Sequence, residues 1–215
     1  MIKIGVMTPT FNRPDCIRSL VLQMQNQSRR PDLLVIHHNG NAQSYEWAIA
    51  DIATDIKIVW QHTPHVLSQN QWYGLPLQHM IDEGCTHFFW CDHDDFYYRH
   101  HIEQGVAALD AGAFDHVVNH YCDLVFLKKS QCQLISNNPV TYNPTGGMAS
   151  SMCFNRSFAE ELLRDLNDAN ALPNADGVVA YTTMPKFKCH AATHVSTAYI
   201  AHAGTVSTPH WVAET

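Results

Sequence analysis

The chain has 215 residues, of which 46% are hydrophobic and 15% are charged, and 13 Lys and Arg against 20 Asp and Glu give a net charge of −7. This composition excludes a disordered chain and a solvated helical rod, and the length fits one domain of ordinary size. Binding to nucleic acid or to an anionic membrane needs clustered cations, so an acidic chain without a Lys/Arg run argues against both partners.

The N-terminal apolar stretch is too short for a signal peptide, and no apolar run approaches the roughly 18 residues of a membrane span. We therefore expect a cytoplasmic protein with no membrane span. The 7 cysteines form no C-x-x-C pair and fit reduced, buried thiols. The 15 histidines include no H-E-x-x-H, so most should be ordinary imidazoles, although a histidine-based metal store stays open as an alternative.

Strands and helices alternate through the first half of the chain. Short β-branched or aromatic runs predict strands over residues 2–7, 33–36, 56–60 and 86–90. Helical spacing of apolar residues predicts helices over 17–24, 44–52 and 68–83. Because these strands lack strict alternation of polar and apolar residues, we expect an α/β fold with a mostly parallel sheet that is covered by helices on both faces.

The second half is less regular. A helix is predicted over 101–111, and shorter strands over 117–121, 124–128 and 133–135 suggest a hairpin that makes the sheet mixed. Another strand should end near Phe154, and Ser157 with Glu160 three residues on predicts the N-terminus of a helix through Leu166. No repeat or linker divides the chain, so residues 1–215 are expected to form a single domain.

The apolar run Phe88–Trp90 is followed, after Cys91, by four acidic or imidazole side chains: Asp92, His93, Asp94 and Asp95. Side chains in this position lie at the mouth of an α/β sheet, where such folds bind ligands. Three acids in four positions repel one another unless a cation neutralises them, and oxygen ligands suit Mg²⁺ or Mn²⁺. The alternative interpretation is a solvated turn that caps the next helix.

Five segments lie in order along residues 2–180. They are the opening strand with its P-T-F-N-R loop at 4–14, Asn70 in a predicted helix, the D-x-D of Asp92 and Asp94, the stretch Gly146–Ser157, and Asp176. Together they resemble glycosyltransferase family 2, a group of inverting sugar-nucleotide transferases with the GT-A fold, in which the fourth segment lines the acceptor side and the fifth carries a catalytic carboxylate. Their joint order and spacing make the resemblance much more specific than any one motif.

The chain departs from the family at three positions. The second strand, which in the family usually ends in an acid that helps hold the nucleotide base, here leads into His37 and His38. An imidazole can still hydrogen-bond a uracil edge. Gln69 replaces the basic residue often found before the helix asparagine, and Ala175 stands where the family's E-D pair has its first acid.

The resemblance implies a GT-A-like, Rossmann-type domain with a nucleotide-binding half, residues 1–95, and an acceptor-side half, residues 96–215. It implies Mn²⁺ or Mg²⁺ as cofactor and Asp176 as the catalytic base that takes the proton of a hydroxyl acceptor. Asp94 and Asp92 would hold the metal, with His202 as a further ligand supplied late in the chain. The residues expected to bind the nucleotide-sugar are Pro9, Thr10, Asn12, His38, Asn70, Asp92 and His93, with Asp95 shaping the nucleotide end.

The favoured donor is a UDP-sugar; the acceptor is unknown and a homo-oligomer is left open. Trp72, Tyr73, Tyr142 and Trp211 are aromatic residues that could stack on a sugar or base, although core packing is the simpler reason for each. A non-catalytic domain that binds sugar nucleotides or glycans on the same fold is the alternative function. A sugar nucleotidyltransferase is disfavoured, since the first strand is not followed by a Gly- and Arg-rich phosphate loop.

Overall fold

The computed structural model describes residues 1–11, 13–40, 45–112, 114–119, 121–128, 131–139, 149–192 and 195–201. Their strands are β1 (Ile4–Thr10), β2 (Leu33–Asn39), β3 (Lys57–Thr63), β4 (His87–Trp90), β5 (Phe96–Tyr97), β6 (His116–Asn119), β7 (Tyr121–Lys128), β8 (Gln131–Pro139), β9 (Cys153–Asn155), β10 (Cys189–Ala192) and β11 (Thr197–Ala201). The longer helices are α1 (Pro14–Gln25), α2 (Gln69–Asp82), α3 (His101–Ala111) and α4 (Arg156–Leu166). A helical segment near the C-terminus comprises α5 (Ala175–Gly177), a π-helical turn (Val178–Thr183) and a 3₁₀ turn (Met184–Lys186).

Seven of these strands form one sheet in the order β10-β6-β9-β4-β1-β2-β3. β1 pairs in parallel with both β2 and β4, whereas β9 runs antiparallel to β4 and β6. The remaining strands form a smaller sheet in the order β5-β11-β7-β8. The expected mixed α/β fold with a mostly parallel sheet is confirmed, and the second sheet contains the predicted hairpin as β7 and β8.

Helices cover both faces of the main sheet, which is why all seven residues of β1 are buried. On one face, Ile4 and Val6 of β1 pack with apolar residues of α1 and α3; on the other, Met7 packs with residues of α2 and α4. A strand buried on both faces has no polar positions to alternate, which explains the continuous apolar pattern of its sequence.

Two local predictions differ from the structure. The helix expected over 44–52 is only a 3₁₀ turn, Glu46–Ile49. The helix expected to begin at Ser157 is capped by Asn155 instead, whose side-chain oxygen accepts a hydrogen bond from the backbone N–H of Phe158 at 3.0 Å. Asn is as good an N-cap as Ser, and β9 runs directly into this helix without an intervening loop.

The strand order turns back at β1. The chain builds β2 and β3 on one side of β1 and then returns to place β4 on the other side. In open α/β sheets, ligands bind outside the carboxyl ends of the strands at such a point. The ends of β1 and β4, at Thr10 and Trp90, therefore mark the expected ligand crevice.

Among the described residues, no helix combines the length and apolar character needed to cross a membrane.

Candidate active site

The acidic segment after β4 lies directly against the end of β1. The backbone N–H of Cys91 donates to the carbonyl of Met7 at 3.1 Å, and Nδ1 of His93 lies 3.0 Å from the carbonyl oxygen of Pro9. A ring nitrogen at this distance from a carbonyl carries the proton, which fixes the orientation of the imidazole. Pro9, Thr10, Asp92 and His93, four of the residues predicted to bind the donor, are thus brought together.

Asp92 is held by aromatic side chains. The hydroxyl of Tyr73 and the indole N–H of Trp90 donate to its Oδ1 at 3.2 and 3.1 Å, and the hydroxyl of Tyr97 donates to its backbone carbonyl at 3.1 Å. Burial raises the pKa of Asp92 well above its usual range, and the negative charges of Asp95, Asp176 and Asp94 add to this effect.

Asp176 approaches the same place from the far end of the chain. It lies in α5, a single turn whose preceding residue Asn174 accepts a hydrogen bond from the backbone N–H of Gly177 at 2.6 Å. Burial raises the pKa of Asp176 itself, and its charge raises the pKa of both Asp92 and Tyr73. The predicted base therefore lies within electrostatic reach of the first residue of the D-x-D.

Asp94 and Asp95 face different neighbours. Burial raises the pKa of the Cys16 thiol, and the charge of Asp94 raises it further, which places Asp94 near the start of α1. Asp95 is buried and accepts a hydrogen bond from the backbone N–H of Ile200 in β11 at 3.2 Å. Burial, and then the charge of Asp94, raises the pKa of Asp95 to about 7, although a hydrogen bond from Ser150 opposes the shift.

This group of carboxylates has the chemistry to hold a divalent cation. Enclosed acids that raise one another's pKa gain most from a nearby cation, and carboxylate oxygen is the donor that Mn²⁺ and Mg²⁺ take. Within the described ranges, no three His, Cys, Asp or Glu side chains are arranged to hold an ion by themselves. His202 and Asn12, also predicted for this site, lie outside the described residues.

A second polar group lies at the ends of β1 and β2. Thr10 pairs in register with His38, and His38 with His62 on β3. The His38 ring is buried, 4.3 Å from the ring of Tyr45 and 5.2 Å from that of His62. Neither ring nitrogen of His38, nor the hydroxyl of Thr10, has a hydrogen-bond partner among the described residues. Burial lowers the pKa of His38, so the ring stays neutral and offers one donor and one acceptor.

Asn70 lies at the start of α2, where a capping box of Ser68 and Gln71 begins the helix. Its side-chain amide donates to the carbonyl of Leu172 at 2.8 Å, and its Oδ1 is buried without a partner in the described part of the chain. Asn70 therefore ties the start of α2 to the segment before Asp176.

Three interactions at the site went unrecognised in the sequence. The sequence predicts that Tyr73 and Trp90 are core aromatic residues, and both pack in the core. Their hydroxyl and indole N–H groups also donate hydrogen bonds to Asp92. His37 is a structural residue, because Nδ1 of its ring lies 2.8 Å from the carbonyl oxygen of Trp72. A Tyr or Trp beside an acidic strand end is a usable signal, since buried hydroxyl and indole groups need acceptors.

No protein family model matches the sequence, and no curated protein matches it. Solved structures do match. S. aureus TarS in complex with UDP-GlcNAc has a TM-score of 0.66 at 11% identity over 95% of this chain, and the mannosyltransferase PcManGT from Pyrobaculum calidifontis, in complex with GDP-Man and Mn²⁺, has a TM-score of 0.62 at 13% identity over 92%. The matches cover 60% and 56% of those two chains. This likeness establishes a GT-A-like glycosyltransferase fold, as the sequence motifs indicated.

Proposed function

We propose that the protein is a metal-dependent, inverting glycosyltransferase that moves a sugar from a nucleotide-sugar, with a UDP-sugar favoured, to a hydroxyl acceptor. The observation that carries this proposal is the convergence of Asp176 with Asp92 and Asp94 at the carboxyl end of the main sheet. The structures of TarS and PcManGT, which share the fold, are complexes with nucleotide-sugars, and that of PcManGT also holds Mn²⁺. These complexes support a sugar-nucleotide donor here.

The donor diphosphate would lie between the end of β1 and the acidic segment after β4. Asp94, together with Asp92, would hold Mn²⁺ or Mg²⁺ there, and a cation in this place offsets the negative charge that develops on the departing diphosphate. Pro9, Thr10 and His93 would line the nucleotide end of the donor. His38 would meet the base in place of the acid usual in related transferases, through one ring nitrogen as donor or acceptor.

Asp176 would act on the acceptor. As the acceptor oxygen forms its bond to the anomeric carbon, the bond from that carbon to the diphosphate breaks on the opposite side, which inverts the configuration. The proton of the acceptor hydroxyl passes to the Asp176 carboxylate, and the electron pair of the broken bond leaves with the nucleoside diphosphate. Burial raises the pKa of Asp176, which makes it a stronger base than an exposed carboxylate.

The proposal is tested by titrating UDP and GDP, each with and without Mn²⁺, into wild type, Asp94→Ala and the control Asp82→Asn. Asp82 is an exposed acid on α2 whose side chain accepts a hydrogen bond from Gln78. We expect one of the two nucleotides to bind, and only in the presence of Mn²⁺. This binding should be lost in Asp94→Ala and retained in Asp82→Asn. Equal binding by wild type and Asp94→Ala would contradict the proposal.

Turnover separates catalysis from binding alone. Release of the free sugar from the donor, or its transfer to an acceptor, should fall by about 10²–10⁴-fold in Asp176→Asn while nucleotide affinity is retained, as expected on removing a general base. One observation favours the non-catalytic alternative: Asp176 has Ala175, rather than a second acid, beside it. Nucleotide binding by wild type without donor hydrolysis or transfer to any acceptor would support that alternative.

A further inference from the structure

Tyr73 and Trp90 form a buried aromatic pair beneath the acidic segment. Their ring centroids lie 4.1 Å apart, and the two side chains come from different elements, α2 and β4. Only 7% of Tyr73 and none of Trp90 is exposed to solvent. A buried hydroxyl or indole N–H needs an acceptor, and both side chains find it on the same atom, Oδ1 of Asp92.

Two donors on one oxygen restrict what Asp92 can do. A carboxylate oxygen accepts two hydrogen bonds along its two lone-pair directions, and here the Tyr73 hydroxyl and the Trp90 indole occupy both. Rotation of the carboxylate would break both bonds at once. Oδ2 is then the oxygen of Asp92 that is left to bind a ligand.

We infer that Tyr73 is a positioning residue of the donor site, which acts through Asp92. Its hydroxyl, with the Trp90 indole, fixes the carboxylate so that only Oδ2 meets the bound nucleotide-sugar or its cation. This inference rests on the proposed function. It makes Asp92 a ligand through one oxygen, and it gives the α2 helix, through Tyr73, a part in donor binding that is separate from that of Asn70.

The role of Tyr73 can be tested by a substitution that removes little besides the hydroxyl. Phe at this position would keep the contact with the Trp90 ring and remove the donor alone.

The test is a double-mutant cycle between Tyr73→Phe and Asp92→Ala, with affinity for UDP in the presence of Mn²⁺ and thermal stability as readouts. Tyr98→Phe is the matched control, since its hydroxyl donates to Asp123 in the smaller sheet, away from Asp92. We expect Tyr73→Phe to weaken binding about tenfold in the wild-type background, as for loss of a hydrogen bond to a charged group. In the Asp92→Ala background, in which the proposed function predicts loss of UDP binding, thermal stability is the readout, and Tyr73→Phe should lower it less than in the wild-type background. Tyr98→Phe should not change binding.

Two results would overturn the inference. One is unchanged UDP affinity in Tyr73→Phe; the other is an equal loss of thermal stability on Tyr73→Phe with and without Asp92. Either result would mean that Tyr73 only packs against Trp90. Trp90→Phe, which removes the other donor, provides a second variant and should also depend on Asp92.

A wild type that binds no nucleotide would refute the proposed function, and the same cycle then tests the inference in the free protein by urea unfolding. The hydrogen bond predicts that the stability effects of Tyr73→Phe and Asp92→Ala are coupled. Additive effects would show that the hydroxyl does not hold the carboxylate, and the inference would fail independently of any ligand.

Discussion

His116 allows a quantitative prediction about stability against pH. It begins β6, its side chain is fully buried, and its ring lies 4.8 Å from the ring of Phe158. Neither ring nitrogen has a hydrogen-bond partner in the described part of the chain. Burial lowers the pKa of His116 to about 4, although the charge of Asp115 opposes the shift. The folded protein therefore holds a neutral imidazole where the unfolded chain would take up a proton.

The sign and size of the effect follow from this difference. Between pH 6.5 and about 4 the unfolded state binds the proton and the folded state does not, so stability is lost as the pH falls through this range. At 1.36 kcal/mol per pH unit, the full loss is about 3 kcal/mol, of which about 2 kcal/mol falls between pH 7 and pH 5. His116→Leu removes the titrating group and fills the same apolar space.

Urea unfolding of wild type and His116→Leu at pH 7 and pH 5 measures this effect. Other titrating groups contribute equally to both proteins, so they cancel in the difference between the two unfolding free energies. The unfolding free energy of His116→Leu relative to wild type should rise by about 2 kcal/mol from pH 7 to pH 5. His116→Gln is a useful second variant: it should be less stable than His116→Leu, because it buries an amide, yet show the same change with pH. A stability difference that is equal at both pH values would refute the reasoning.

Three further predictions concern the site and the sheet beneath it. Asp95→Asn should gain stability relative to wild type as the pH rises from 5 to 8. In wild type the folded state holds a proton on Asp95 up to about pH 7, whereas the unfolded chain releases it near pH 4, so the wild-type protein loses stability as the pH rises between these values. Urea unfolding at pH 5 and pH 8 checks this. Gly105→Ala should lower the unfolding free energy by about 1–3 kcal/mol in urea, because a Cβ would lie 2.7 Å from the Phe89 ring. Asn70→Ala should lower turnover more than nucleotide affinity if its bond to Leu172 positions the segment before Asp176, whereas an equal loss would indicate direct contact with the nucleotide.

The first four strands of the main sheet could be predicted from sequence because each is a short apolar run between helical patterns. Their parallel pairing followed from the same alternation, and the structure confirms it. The smaller sheet could not be predicted in this way. β11 pairs in parallel with β7 and antiparallel with β5, and no local pattern specifies which distant strands become neighbours.

The candidate site divides in a similar manner. Asp92, Asp94 and Asp176 could be chosen from the order and spacing of motifs, and the fold brings Asp176 within electrostatic reach of Asp92. The hydrogen bonds that orient the acidic side chains could not be predicted from the sequence. The bond from Ile200 to Asp95 joins residues 105 positions apart, and it exists only because β11 pairs beside the acidic segment.

The positions that break the ordinary rules of burial separate into two kinds. Buried carboxylates at Asp92, Asp95 and Asp176 lie at the carboxyl edge of the sheet. So does the His38 imidazole, which has no hydrogen-bond partner among the described residues. Burial shifts the pKa of each of these groups toward the neutral form. Each costs stability, and local rules fail in this way chiefly at functional sites. His116 breaks the same rule at the amino end of β6, with the Phe158 ring 4.8 Å from its own. His116 lies apart from these residues, whereas the clustering of the other four at one edge of the sheet is what supports the proposed ligand site there.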